Sequence, residues 1–446
     1  MFVIANTMET FDAYLNRKGQ ELKLLNSCLK RPIGLRKHGS VDEVINEKFR
    51  LAAALKAEHE LRDWATTETD WSEGQPHESG SFKFKYDYQR ADLDVQGPSF
   101  YEFDAASSGQ TFYTGSGMAA ISAVLLASSR IAGKADIVAS PASYGETLEF
   151  IERYAPHFRL VTVAQFQNEG ERTAPMPRIV LVDSSIEVRD FEATLRLKSK
   201  LFDLAIFDTT CFSGGSRQIK RVLQWAGNGH TPLIMVRSHN KLDSMGVEYG
   251  RLGSATFAHR TESNAWDRGS VYRTLPAETR DAVRLLGGAA LPGHFPPFVG
   301  LTSYYTLTNK RVANILRNTR RSAQYFTECL PHSTERRPHF AHGLYVTLRE
   351  DGMDEAKARQ TAADMGDDLR TAFPIRHAGS FGFDFAAVEW FHNSATNQYS
   401  VRIAAADLPT QLWDNLTKAI TEWWMKRFYQ PLSCPNEQSQ DVGPRG

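Results

Sequence analysis

Three short segments of this 446-residue chain carry residue types that could do chemistry. In FDTTCF (207–212), Asp208 closes the apolar run DLAIF. A carboxylate there needs a cationic or N–H partner, because an unpaired buried charge is costly. Capping of the next turn and a salt bridge to a protonated pyridine nitrogen both meet that need. In PLIMVRSHNKLDSMG (232–246), Ser238 and Lys241 follow another apolar run. A lysine just past a strand end can form a Schiff base where its surroundings favour nucleophilic attack. The S-x-x-K spacing lacks the S-D-N and K-T-G companions found in penicillin-recognising enzymes.

The third segment is TGSGMAAISA (114–123). Small residues before a helix expose backbone N–H groups at its positive end, which suits a phosphate. Gly115, Gly117 and Ala120 also fit the G-x-G-x-x-A dinucleotide fingerprint, the basis of an alternative reading as an NAD(P)-dependent oxidoreductase. Asp136 stands before the next strand, so the ribose contact of that fingerprint is missing. A helix start with small residues for tight packing remains the plain alternative.

The elements that must hold these residues follow from pattern. DIVAS, RLVTVAQF, RIVLVDSS, DLAIFDTT and TPLIMVRS are short β-branched runs ending in small polar residues, and they follow the helix former MAAISAVLLASSRIAG. Such runs, alternating with helical segments, predict an α/β fold with a buried, mostly parallel central sheet flanked by helices. Ligands collect at the carboxyl ends of strands in these sheets. Before this region, residues 1–85 read as a polar, mostly helical arm containing an amphipathic helix at 41–65. Residues 86–290 then form the α/β domain, the one in which a bound cofactor is expected, and 291–430 a smaller α+β C-terminal domain. Its long helix has a basic face, KRVANILRNTRR, expected to face solvent or another subunit, and 431–446 reads as a flexible tail.

Composition excludes several classes. The 52 Lys+Arg balance 52 Asp+Glu, so neither nucleic acid nor an anionic membrane is an expected partner. No run approaches the length of a membrane span, and the N-terminus lacks a signal-peptide pattern. Cysteines at 28, 211, 329 and 434 show no paired spacing, which fits a reducing, cytoplasmic setting. His339-x-x-His342 has no evident third ligand, so no metal is expected. Cys211 is read as a small buried residue.

Taken in order, the segments resemble the γ-subfamily of fold-type-I pyridoxal-phosphate enzymes, the group of cystathionine γ-synthase, cystathionine γ-lyase and methionine γ-lyase. Tyr88-Gln89-Arg90 matches the family's Y-x-R, and Gly117-Met118 its S-G-M-x-A. Tyr144-Gly145-Glu146-Thr147 matches Y-G-x-T, Asp208 the strand-terminal Asp, and Ser238-His239-Asn240-Lys241 the S-x-T-K. LPGHFPPFVGLTSYYTL is similar to the opening of the family's C-terminal part. AGSFGFDFAAVEWF and YSVRIAAAD are similar to its S-L-G and L-R-L-S segments, which singles out Ser380 and Arg402. The likeness spans roughly 85–410 and rests on colinearity. It departs where Val182-Asp183-Ser184-Ser185 replaces E-T-P-x-N-P, where Asn240 replaces Thr, where Glu146 replaces a small residue, and in a longer stretch between Asp208 and Lys241.

The resemblance implies pyridoxal 5'-phosphate as cofactor and a small-molecule amino acid as substrate. It assigns the covalent link and proton transfer to Lys241, the pyridine nitrogen to Asp208, and ring stacking with help in proton transfer to Tyr144. The phosphate falls to Gly117, Met118 and Ser238, completed by Tyr88 and Arg90 from a neighbouring subunit, hence a homodimer or homotetramer; Asn240 is also counted as cofactor-binding. Arg402 and Ser380, with Tyr88, would meet the substrate. The implied reaction is elimination or replacement at the γ carbon of an L-amino acid. One specialised form is dehalogenation of a chloro-allylglycine to propargylglycine; the alternative is a sulfur amino acid γ-lyase or γ-synthase.

Overall fold

The computed structural model describes residues 8–63, 77–88, 92–103, 107–169, 176–260, 266, 270–286, 288–331, 334–338, 343–393 and 396–429. Two helices come first, α1 (Phe11–Ser27) and α2 (Val41–Asp63). An antiparallel three-stranded sheet follows: β1 (His77–Ser79), β2 (Phe82–Tyr88) and β3 (Asp92–Gln96). The region expected as a helical arm is therefore helical only as far as Asp63. FKFKYDY alternates apolar and polar residues, the period of a half-buried strand, so the boundary at 85 cuts through β2.

The central sheet uses β4 (Ser107–Thr114), β5 (Ala135–Ala139), β6 (Phe158–Thr162), β7 (Arg178–Asp183), β8 (Leu204–Asp208), β9 (Leu233–Ser238) and β10 (Gly253–Arg260). Their order is β4-β10-β9-β8-β7-β5-β6. The run from β9 to β6 is parallel, while β10 lies antiparallel to both β4 and β9. Strands β5 and β7 are almost wholly buried, as continuous apolar runs require when helices cover both faces. Between them run α3 (Gly117–Ala132), α4 (Gly145–Tyr154), α5 (Val163–Glu169), α6 (Val188–Arg196) and α7 (Arg217–Asn228). α8 (Leu275–Leu285) packs against α3.

The expected strand RLVTVAQF stops at Thr162. There the Gln165 amide donates to Thr162 Oγ1 (3.2 Å) and the Thr162 amide to Gln165 Oε1 (2.9 Å). This reciprocal cap starts α5 at Val163.

The C-terminal part holds α9 (Thr302–Cys329), β11 (Glu335–Pro338), β12 (Tyr345–Arg349), α10 (Glu355–Leu369), β13 (Ile375–His377), β14 (Ala386–Asn393), β15 (Gln398–Ala404) and α11 (Thr410–Phe428). Its five strands order as β11-β12-β15-β14-β13. No helix among the described residues is long and apolar enough to cross a membrane. His339, His342 and the expected tail lie outside the described residues.

Helix α9 departs from its expected role as a solvated basic surface. Arg311 is 2% exposed and ion-paired with Glu21, Asp384 and Asp407. Arg17 and Lys18 of α1 and Lys48 of α2 join the cluster. Lys18 Nζ lies 2.7 Å from both Asp384 and Asp407, and Lys48 Nζ lies 2.7 Å from Asp384. The desolvation penalty of each ion is offset by several opposite charges. Glu21, Asp384 and Asp407 lie close enough together to suggest a metal centre, yet ammonium and guanidinium groups already occupy their oxygens. The two N-terminal helices are thus fastened by charge to the C-terminal part.

Candidate active site

The carboxyl ends of β7, β8 and β9 open onto a cleft of about 440 Å³. β8 ends at Asp208, whose Oδ1 accepts from the Thr210 amide at 2.8 Å. Directly across in the parallel register lies Asp183 at the end of β7. Both oxygens of Asp183 are committed to backbone: Oδ2 accepts from the Tyr144 amide and Oδ1 from the Ser185 amide, each at 2.7 Å. Burial, reinforced by the Asp183 charge, raises the Asp208 carboxyl from its ordinary 3.8 to about 7. Burial also raises Asp183. A carboxyl held so far up, at the rim of a cavity, is suited to a cationic partner.

The second wall is the start of α3. Ser116 caps the helix, its Oγ accepting from the Ala119 amide at 3.0 Å. Gly117 and Met118 occupy the first two helical positions, where a helix supplies no acceptor of its own for their amides. A Cβ on Gly117 would lie 3.0 Å from the Ser238 Cβ, so any larger residue would press these segments apart by a few tenths of an ångström. The Ser238 amide donates to Thr210 Oγ1 at 3.1 Å, which ties the ends of β8 and β9 together. Thr147 donates to the Met118 sulfur at 3.9 Å, linking the Y-G-x-T segment to the same helix start.

Lys241 follows β9 on a loop braced residue by residue. His239 is hydrogen-bonded to Asp243 (2.7 Å) and Ser254 (2.8 Å), and Arg237 pairs with Asp243 at 2.6 Å. Against the upward push of burial, the Arg237 charge holds Asp243 down to about 2. Asn240 does not line the cleft; its Oδ1 accepts from the Leu252 amide at 3.2 Å. The side chain, expected at the cofactor, turns towards the returning backbone and braces the loop. Lys241 does reach the cleft, where its Nζ donates to Ser380 Oγ at 2.6 Å and lies 4.0 Å from Glu248.

Tyr144 lines the cleft, and its phenol is pushed well up by burial and by the neighbouring Glu146 carboxylate. At neutral pH the phenol is therefore protonated. Arg402, on β15, faces the cleft and is gripped by Glu389 across the β14–β15 ladder. Cys211 is buried, with its thiol raised by burial and then by Asp208 and Asp183, in keeping with an inert small residue.

Of the residues expected from sequence, Gly117, Met118, Tyr144, Asp208, Ser238, Lys241 and Arg402 converge on this one cleft, with Ser380 beside Lys241. Tyr88 ends β2, but its side chain and the whole of Arg90 lie outside the described residues. Thr210, Tyr345 and Phe381 also line the cleft and were not anticipated. Thr210 and Phe381 fall inside quoted segments, whereas Tyr345 opens β12, away from all of them. The G-x-G-x-x-A turn does not serve a dinucleotide fold. It joins β4, at one edge of the sheet, to β5 near the other, so the two are not neighbours in a βαβ unit.

No family model and no curated protein matches the sequence. Among solved structures, the chain superposes on a protein assigned as an O-acetylhomoserine (thiol)-lyase of Campylobacter jejuni, at TM-score 0.50 and 14% identity. That match covers 70% of this chain and 82% of the other, which carries a pyridoxyl-lysine phosphate adduct. The fold is that of the type-I pyridoxal-phosphate enzymes. Cystathionine γ-synthase of Xanthomonas oryzae, in complex with cystathionine, matches at TM-score 0.49 and 15% identity, covering 70% of this chain and 81% of that one. In a type-I fold, the cleft described here lies where strand ends of the large sheet meet the C-terminal part.

Proposed function

We propose that the cleft binds pyridoxal 5'-phosphate and acts on an L-amino acid carrying a leaving group at Cγ. The observation that supports this reading is the convergence of Asp208, Lys241 and the α3 N-terminus on one cavity. The residues fit the cofactor by their chemistry. The Gly117 and Met118 amides with the Ser238 and Thr210 hydroxyls suit a phosphate, and the raised carboxyl of Asp208 suits a pyridinium. Asp208 Oδ1 accepts from the Thr210 amide, and the Thr210 side chain also bonds this carboxyl.

Bound there, the cofactor supplies a covalent handle for the substrate amine and an electron-accepting ring that stabilises negative charge at Cα. The protein supplies the rest. Lys241 Nζ takes and returns protons at Cα and Cβ, held to its station by Ser380. Asp208 keeps a proton on the pyridine nitrogen. The Arg402 guanidinium orients the substrate through its carboxylate. The Tyr144 phenol donates a hydrogen bond at the cleft mouth.

For the leaving group, a sulfur amino acid or acyl-homoserine substrate has the better support, since the superposed neighbours are assigned to that chemistry. The chloro-allylglycine reaction draws none from them. The experiment is direct. The protein is incubated with pyridoxal 5'-phosphate, reduced with borohydride and digested, and the modified peptide is located by mass spectrometry. Modification at Lys241 is expected. A panel of homoserine esters, cystathionine, methionine and chlorinated allylglycines is then assayed for product. Turnover confined to β-substituted substrates would overturn γ chemistry.

A further inference from the structure

Beside the cleft lies a carboxylate that the reaction does not require. Glu389 lies on β14 directly opposite Arg402 on β15, and its Oε1 accepts from both Nε (2.9 Å) and Nη2 of that guanidinium. Both side chains are 14% exposed, so the pair is screened little by water. The rings of Tyr345 and Phe391 lie 4.3 and 4.5 Å from the central guanidinium carbon and limit its rotation. The other oxygen of Glu389 lies beside Gly379, which lines the cleft; a Cβ on Gly379 would come within 3.2 Å of it. Glu389 thus borders the space that a substrate enters.

A guanidinium can grip a carboxylate with two N–H groups along either of two edges, Nε–Nη2 or Nη1–Nη2. Nη2 is common to both. Glu389 takes one of its two N–H groups and closes the Nε–Nη2 edge, so an incoming carboxylate is confined to the Nη1–Nη2 edge of a guanidinium whose charge is already partnered. The anchor is also a neutral pair in place of a bare cation, which removes much of the long-range pull on an anion.

We propose that Glu389 is a specificity-determining residue, an internal carboxylate that competes with the substrate's own for Arg402. The proposal rests on the functional reading above. Its consequence concerns substrate class. A neutral Arg–Glu anchor discriminates little between a free α-carboxylate and an α-carboxamide, whose C=O accepts from Arg402 while its N–H donates to Glu389. Both amino acids and their amides are therefore admitted, and loss of Glu389 turns the site towards the free acid.

Calorimetry on the cofactor-loaded protein tests this with norvaline and norvalinamide, which lack a γ leaving group and bind without turnover. Wild type, Glu389→Gln and Glu389→Ala are compared, with thermal melts to confirm folding. Wild type is expected to bind acid and amide with similar affinity. Both variants are expected to bind the acid about tenfold more tightly, the scale of one hydrogen bond to a charged group, with amide binding unchanged or weaker. If acid affinity is unchanged or lower in the folded variants while binding persists, Glu389 only orients Arg402 and the proposal is overturned alone. If neither ligand binds any of the three proteins, the functional reading falls with it.

Discussion

The ammonium of Lys241 donates to Ser380 Oγ at 2.6 Å across 139 residues of sequence. The lysine belongs to the large sheet and the serine to the loop before β14, so the lysine is positioned by both parts of the fold. Arg311 sets that loop: its Nη2 donates to the Gly382 carbonyl at 2.8 Å. Gly382, at φ +87°, brings its backbone against the Lys241 carbonyl, where a Cβ would come within 3.0 Å. A left-handed residue in so close a contact is a natural place for glycine.

Ser380→Ala removes one hydrogen bond to a charged group, worth about 1.5–3 kcal/mol in its geometry. We expect kcat to fall at least roughly tenfold while the melting temperature moves by only a few degrees. Steady-state kinetics beside a thermal melt check this. A normal kcat would show that Lys241 needs no partner at that atom.

Asp208 makes the cofactor-free protein sensitive to pH. Its folded carboxyl is raised from 3.8 to about 7, so between those values the native state holds the extra proton. Stability contributed by Asp208 is therefore greatest below about pH 4 and is lost as pH rises towards 7. Asp208→Asn should raise the melting temperature of the cofactor-free protein at pH 8 and change it little at pH 4. The same variant should bind pyridoxal phosphate more weakly. Melts across pH, with a cofactor titration, decide both.

Lys48 sits at the centre of the buried charge cluster. Burial is the main force lowering its ammonium, to about 8, and the cluster's carboxylates oppose that shift. Lys48→Met leaves Glu21 and Asp384 short of a counter-charge, and breaking such a pair costs about 3–5 kcal/mol. Adding Glu21→Gln removes one of the carboxylates that lost this partner and should recover part of that loss. Denaturant unfolding of the single and double variants measures the recovery.

The described thiols should differ sharply in reactivity. Cys329 is exposed, whereas Cys211 is 4% exposed with its thiol pushed well above the ordinary range. Thiol-specific labelling of the native protein followed by peptide mapping should modify Cys329 and spare Cys211 until denaturant is added.

The strand ends of the active site were legible because burial on both faces of a parallel sheet demands unbroken apolar runs. A polar residue closing such a run stands out, as Asp208 does after LAIF. Lys241 was legible for the same reason, three residues past the end of β9. Arg311 was not. Its partners Asp384, Asp407 and Glu21 lie 73, 96 and 290 residues away, and local pattern saw only a basic helix. Glu389 was hidden similarly, since a cross-strand register, not sequence spacing, puts it on Arg402.

Local pattern, then, settles the alternation of strand and helix and names the polar residues at strand ends, because both depend on neighbours within a few positions. Which of those residues share one cleft is decided only when the chain folds. So are the state of Asp208, the partner of Arg402 and the burial of the N-terminal charges. Desolvation and Coulomb energy depend on distance in space, and pairs such as Arg402–Glu389 and Arg17–Asp407 lie 13 and 390 residues apart in sequence.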